Sequence, residues 1–265
     1  YQVRMPGEYR PAGRPLRKTP IYDQLDDLGA QWQDVWGWER VKYFGEPEHY
    51  SWRRSNAFNH VADEVTGVRE RVGIADLTAF AKFEVTGSDA AKLLDRISAN
   101  RLPTKDGGIR LCHLLTDLGG IEGEMTITRL SENRFYLNSA IVGESHDYDW
   151  MMAHIQDGED VTISDVTGDY GLLAVTGPKA RDVLAPLTDA SLENKDFIWL
   201  TGQEIEVAGV PCIALRVSYV GELGWELHHP IEQMPVLYEA LLTEGSKHGM
   251  THFGSYAMNV MRIEK

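Results

Sequence analysis

Cysteine is scarce in this sequence: two among 265 residues, Cys112 and Cys212. Neither has a second Cys or a His at metal-ligand spacing, which excludes a disulfide scaffold and a zinc site and leaves two reduced, buried thiols. Basic side chains are the minority, 26 against 40 acidic, and the formal charge of −14 opposes binding to a nucleic-acid backbone or an anionic membrane surface. No apolar run approaches the roughly 18–20 residues that span a bilayer, and the opening YQVRMPGEYRPAGRP has no signal-peptide core. Glycine-rich nucleotide loops are missing too. No GxGxxG opens a helix and no GxxxxGK[ST] occurs, so a flavin, if one is used, must be held by another domain. These absences leave an intracellular protein working on a small molecule.

Material for a core is present. Hydrophobic residues make up 43% of the chain and charged residues 25%, with seven Trp, a globular composition sufficient for one large domain or two ordinary ones. The sequence starts without Met, and its ending, MRIEK, breaks off inside a helical pattern, so both ends are expected to be cuts in a longer protein.

Before Pro20 the chain is rich in Pro, Gly and Arg and reads as an extended connector lying on another surface. IYDQLDDLGAQW predicts a short helix stopped by Gly29. VWGWERVKYF gathers Trp36, Trp38, Tyr43 and Phe44, too much aromatic surface to stay wet, packing either in a local core or against another domain. Residues 1–50 are expected to be a junction and 51–265 a folded domain. Val61, Val65, Val68 and Val72 predict a helix, IADLTAFAKFEVTG a strand, and SDAAKLLDRIS a helix capped by Ser88. Further helices are expected at HDYDWMMAHI, at PKARDVLAPL with Pro178 in its first turn, and at MPVLYEALLTEGSKHG. Short strands lie between them, an interleaving that fits antiparallel sheets covered on one side by helices, the α+β class.

Four segments are odd for plain scaffold. In LLTDLGGIEGEMTITRL the double glycine turns the chain, and the following strand sets Glu122 and Glu124 on one face with Ile121, Met125 and Ile127 as core candidates. A solvated strand face and a functional carboxylate both fit. In RVSYVGELGWELHHP, Tyr219, Glu222, Trp225 and Glu226 crowd a glycine turn. Acid beside aromatic suits a flat heterocycle, whose amino-pyrimidine edge can give paired hydrogen bonds to a carboxylate; an ordinary hairpin fits as well. GSYAMNVMRIEK is a helix with Tyr256, Val260 and Ile263 placed to pack and Arg262 and Lys265 free to reach an anion or solvent. His113, His146, His228 and His229 show no metal spacing and read as surface or satisfied core histidines.

Together, ISANRLP, GGIRLCHLLTDLGGIEGEMTITRL, YLNSA, LLAVTGPKARDVL, SYVGELGWELHHP and GSYAMNVMRIEK occur in an order that resembles the glycine-cleavage T-protein (aminomethyltransferase) family. GRPLRKTPIYDQLDDLGAQWQDVWGWERVKYF resembles the junction behind the flavin half of FAD-dependent dimethylglycine and sarcosine dehydrogenases. The resemblance implies an α+β fold with sheets and helices around a central channel that holds tetrahydrofolate, and a terminal β barrel that is missing here. It implies Glu226 as the pterin-holding carboxylate with Tyr219 and Trp225 near it, Asn138 and Arg262 as further folate contacts, and Glu124 as the catalytic acid, an Asp in T-protein. Cys112 stands where T-protein has Tyr, and Met258 where it has a folate-contacting Arg, which fits the dehydrogenase branch and disfavours lipoyl-protein docking. The implied activity is capture of the one-carbon unit from N-methyl oxidation as 5,10-methylenetetrahydrofolate, with FAD in another domain of the same polypeptide. A folate-dependent methyltransferase or demethylase making 5-methyltetrahydrofolate and a non-catalytic folate-binding domain are the alternatives. The implied location is the bacterial cytoplasm or the mitochondrial matrix.

Overall fold

The computed structural model describes residues 9–49 and 51–265, so the first eight residues of the expected connector lie outside it. Helix α1 (Tyr22–Asp27) leads into a hairpin of β1 (Ala30–Val35) and β2 (Trp38–Phe44). Its two turn residues, Trp36 and Gly37, have φ of 57° and 87°, the left-handed pair that matches the twist of a tight hairpin. The hairpin resolves the aromatic cluster: Trp38 and Tyr43 are buried and Trp36 faces solvent at the tip. Ile21, Leu25, Ala30 and Val41 share one core with Ile74, Leu173 and Val175. From Ile21 onward the stretch expected to be a junction therefore belongs to the folded body, because its apolar positions find partners within this chain.

Next come α2 (Ala57–Glu70), β3 (Gly73–Asp76), β4 (Phe80–Thr86) and α3 (Ala90–Ile97). The single strand expected over IADLTAFAKFEVTG is two strands in different sheets. Asp76 Oδ1 accepts the Thr78 N–H at 2.9 Å, a side-chain turn that redirects the chain between them. Helix α3 is preceded by Asp89, and Ser88 does not cap it; the serine hydroxyl donates to Asp160 at 2.8 Å. The chain continues through β5 (Ile109–Leu115), β6 (Ile121–Ser131), β7 (Arg134–Ala140), α4 (Glu144–Ala153), β8 (Thr162–Asp165) and β9 (Tyr170–Thr176). Then follow α5 (Ala180–Leu184), β10 (Gly202–Val207), β11 (Val210–Leu215), β12 (Gly224–Pro230), α6 (Met234–Ser246), β13 (Thr251–His252) and α7 (Ser255–Glu264). Pro178 lies just ahead of α5, outside its first turn.

One antiparallel sheet has the order β5-β6-β7-β4-β8, and the other the order β10-β11-β12-β9-β3-β13, antiparallel except for the β3–β13 pair. This is the expected α+β architecture. Each sheet is roofed on its outer face. Phe83, Phe135 and Leu137 pack under Leu93, Leu94 and Met151 of α3 and α4, while Leu173, Trp225 and Leu227 pack under Val183, Leu237 and Leu241 of α5 and α6. On the inner face of the second sheet, Ala75, Leu172 and Ala174 meet Val68 of α2 and Ala257, Met258 and Met261 of α7. The buried stripe of α7 differs from the expected one: Val260 and Ile263 are exposed, and Ala257 with the two methionines takes their place. Small Ala257 lets the helix approach the sheet closely, and the flexible thioethers fill the gaps beside it.

Glu64 of α2 fixes where α7 starts. Its buried carboxylate accepts the Phe44 N–H at 2.7 Å and the Gly254 N–H at 2.9 Å, tying the end of β2 to the residue before α7. Gly254 is needed there because a Cβ would collide with the Lys42 carbonyl. Burial pushes the Glu64 carboxyl up from 4.5 to about 7, against the pull of both N–H groups. The native state thus holds this proton more tightly than the unfolded chain, so the group's contribution to stability is lost as pH rises from about 4.5 to about 7. In urea unfolding, the stability of wild type relative to Glu64→Gln, in which other titrations cancel, should fall across that window by on the order of 3 kcal/mol. A pH-independent difference would contradict this account of Glu64.

Candidate functional site

The inner faces of the two sheets touch at a small cluster of Ile109, Tyr136, Ile213 and Leu215. At its centre Tyr136 Oη and His228 Nδ1 are 2.9 Å apart, with the rings edge to face. Strand alternation then decides what surrounds this contact. In the first sheet the pairs Thr128–Tyr136, Thr126–Asn138 and His113–Glu124 place all six side chains on the same face. In the second, Leu215 pairs with Glu226 and Ile213 with His228, so Glu226 and His228 look the same way. Glu226 and Asn138 each lie two residues from the partners of the central bond, about 7 Å along their strands.

The predicted residues divide accordingly. Glu226 is mostly enclosed, and its Oε2 is 3.7 Å from His228 Nε2. Asn138 Oδ1 is buried with no hydrogen-bond partner among the described residues, as are Thr128 Oγ1 and His228 Nε2. Glu124 stands more open, its side chain 59% exposed, and bonds to His113 Nε2 at 2.8 Å across the strand pair. Trp225, next to Glu226, turns to the outer face, where its ring is 1% exposed and packs edge-on against Phe197. The structure does not bring it to the site, because adjacent residues of a strand point to opposite sides. Tyr219 sits in the loop before β12 with the Arg262 guanidinium 5.1 Å from its ring centre, an α7-to-loop contact at the surface.

Burial governs charge around the central bond. It lowers the pKa of His228, leaving a neutral imidazole, and raises that of Tyr136 well above the usual phenol value, so the hydroxyl keeps its proton. Lys82, opposite Asn138 and fully buried, is drawn down to about 7 by burial, and its Nζ donates to the carbonyls of Thr78 and Phe80 at 2.7 and 2.9 Å. The Arg40 guanidinium lies 5.4 Å from the Phe80 ring centre, and burial lowers its pKa. His113, Tyr136, His228, Lys82 and Arg40 were not singled out for this site from the sequence. His113 and Tyr136 become visible once strand register is known, since it pairs them with Glu124 and Thr128.

Oxygens of Asn138 and Thr128 and a nitrogen of His228, buried and without partners among the described residues, stand beside an enclosed carboxylate, a concentration of polar atoms that an ordinary core avoids. The more exposed Glu124–His113 pair, bonded carboxylate to imidazole, can give or take a proton.

Comparison with known proteins identifies the family. The family model for the GCVT N-terminal domain matches residues 21–265. The chain is 38% identical over 270 residues to human mitochondrial dimethylglycine dehydrogenase, covering 99% of this chain and 31% of that protein. It is 32% identical over 276 residues to the mouse mitochondrial pyruvate dehydrogenase phosphatase regulatory subunit, covering 100% and 31%. The chain thus spans about a third of the length of these relatives. Among solved structures, the glycine cleavage system aminomethyltransferase T from Bartonella henselae superposes with a TM-score of 0.77 at 25% identity, covering 94% of this chain and 62% of that one. With its fold and a family match over nearly all its length, the chain belongs to the aminomethyltransferase family, as a GCVT N-terminal domain.

Proposed function

We propose that this chain is the tetrahydrofolate-binding module of a larger FAD-dependent enzyme and captures the one-carbon unit released by oxidative N-demethylation of a methylated glycine of the dimethylglycine or sarcosine type. Tetrahydrofolate supplies the nitrogens that accept this unit, giving 5,10-methylenetetrahydrofolate. FAD and the oxidation belong to another domain of the same polypeptide. The supporting observation is that Glu226 and Glu124 come from different sheets yet lie on the two faces joined at Tyr136 and His228, with unpartnered buried oxygens of Thr128 and Asn138 nearby.

In this reading Glu226 accepts the paired N–H groups of the amino-pyrimidine edge, and Asn138 takes a further polar contact. Tyr219 and Arg262, stacked on each other, contact the exposed part of the ligand. Glu124 holds or delivers a proton at the reactive nitrogen, with His113 on its other side. The compartment is the mitochondrial matrix or the bacterial cytoplasm; among the described residues no helix is long and apolar enough to cross a membrane. Similarity to a regulatory subunit supports a second reading, a domain that binds folate without transferring anything. The two readings part at Glu124.

Glu226→Ala removes a charge-assisted, paired contact from an enclosed position, so calorimetric titration with folinic acid should show a loss of about 2–4 kcal/mol. Affinity near that of wild type would refute the assignment. Glu124→Gln keeps shape and most hydrogen bonding, and folate affinity should stay within a few fold. In the full-length enzyme, methylenetetrahydrofolate formation should drop ~10²–10⁴-fold, the usual contribution of a general acid or base, while amine oxidation continues and formaldehyde accumulates. An unchanged ratio of the two products would take Glu124 out of the mechanism and favour the binding-only reading.

A further inference from the structure

His228 is the least expected residue of the site. It is 0% exposed, two positions along β12 from Glu226 and on the same face. Its Nδ1 is 2.9 Å from Tyr136 Oη, and its Nε2 is 3.7 Å from Glu226 Oε2 with no hydrogen-bond partner among the described residues. A neutral imidazole carries one N–H and one bare nitrogen. The carboxylate on the Nε2 side can only accept, whereas the phenol on the Nδ1 side can donate. The arrangement without a clash of lone pairs therefore has the proton on Nε2, pointing at Glu226, and the Tyr136 hydroxyl donating to Nδ1. At 3.7 Å the pair is outside hydrogen-bond range, and the Nε2–H acts on the carboxylate as a nearby dipole of favourable sign.

We infer that Tyr136 and His228 form a donor chain aimed at the Glu226 carboxylate, making them positioning residues that select a heterocycle carrying an amino group next to a ring N–H. Tyr136 reaches across from β7 of the other sheet, so the carboxylate is braced against both sheets. A glutamate held only by its own strand rotates freely about its side-chain bonds and loses part of the gain from a two-point contact when a ligand immobilises it. With Nε2–H facing one oxygen, the carboxylate is biased toward one orientation before the ligand arrives. A ligand that presents two parallel N–H groups then gains both bonds together, while one lacking the amino group gains nothing from the bracing.

This inference rests on the folate reading and on Glu226 as its pterin contact, and the test separates the two. Folinic acid and its 2-desamino analogue are titrated into wild type, Glu226→Ala, Tyr136→Phe, His228→Gln and His228→Leu, with the unfolding temperature of each protein measured alongside. Tyr136→Phe and His228→Leu should weaken folinic acid ~3–10-fold, the size of one net hydrogen bond, while the desamino analogue changes by less than about twofold. His228→Gln, which restores an N–H near Glu226, should recover part of the loss. Equal weakening of both ligands, or lowered unfolding temperature with unchanged affinities, would overturn the chain while leaving the folate reading standing. Folinic acid affinity untouched by Glu226→Ala would overturn both. Nitrogen-15 shifts of His228 in the wild-type protein give a check that does not depend on any variant folding. The proton is expected on Nε2, and a proton on Nδ1 would overturn the inference.

Discussion

One buried hydrogen bond, between Tyr136 and His228, joins the inner faces of the two sheets, alongside the backbone bonds of Gly202 to Gly107 and Ile109 to Leu200 and the Arg134–Glu204 ion pair. Elsewhere the sheets carry their own cores under helices α3 and α4 on one side and α5 and α6 on the other. Helices could cover either sheet in isolation, but they do not dictate which inner-face residues meet. Tyr136 and His228 contribute to that choice, since each is almost wholly enclosed and would leave a polar atom without a partner if the sheets shifted by a residue. The polar side chains about the contact follow from that register, and the folate reading depends on their convergence.

The two acids so placed have different surroundings, and the difference suits the separate roles proposed for them. Glu226 is enclosed and stands beside a neutral imidazole, an environment for a firm, directional contact with a ligand edge. Glu124 is open to solvent and paired with His113, an environment in which protons exchange readily. A carboxylate that must hold and one that must move a proton are thereby kept on different sheets. In the proposed function, oxidation of the amine falls to a domain outside this chain, which spans about a third of the length of its relatives.

Much of this was legible in the sequence, and where it was not the reason is physical. Helices α2 and α3 declared themselves by apolar spacing, the segments of α4 and α6 also read as helices, and the family resemblance pointed to Glu226, Glu124 and Asn138. The hairpin of β1 and β2 was hidden because its aromatic residues suited both a local core and a foreign interface, and the burial of Trp38 and Tyr43 within this chain distinguishes them. Residues 256, 260 and 263 of α7 show the same helical spacing as the stripe that is in fact buried, and small Ala257 beside the sheet decides between the two faces. Trp225 was drawn to the site by its neighbour Glu226, although alternation along a strand must send one of the two to the core. His228 read as an ordinary histidine because its significance lies in a contact 92 residues away in the chain.

Amide shift mapping of the protein with folinic acid tests most directly whether the facing surfaces of the two sheets bind folate. Shifts concentrated at Thr126, Asn138, Glu226 and His228, moving together at one saturation midpoint, are the expected result. Shifts confined to residues away from these two faces, or none up to millimolar folinic acid, would contradict the account.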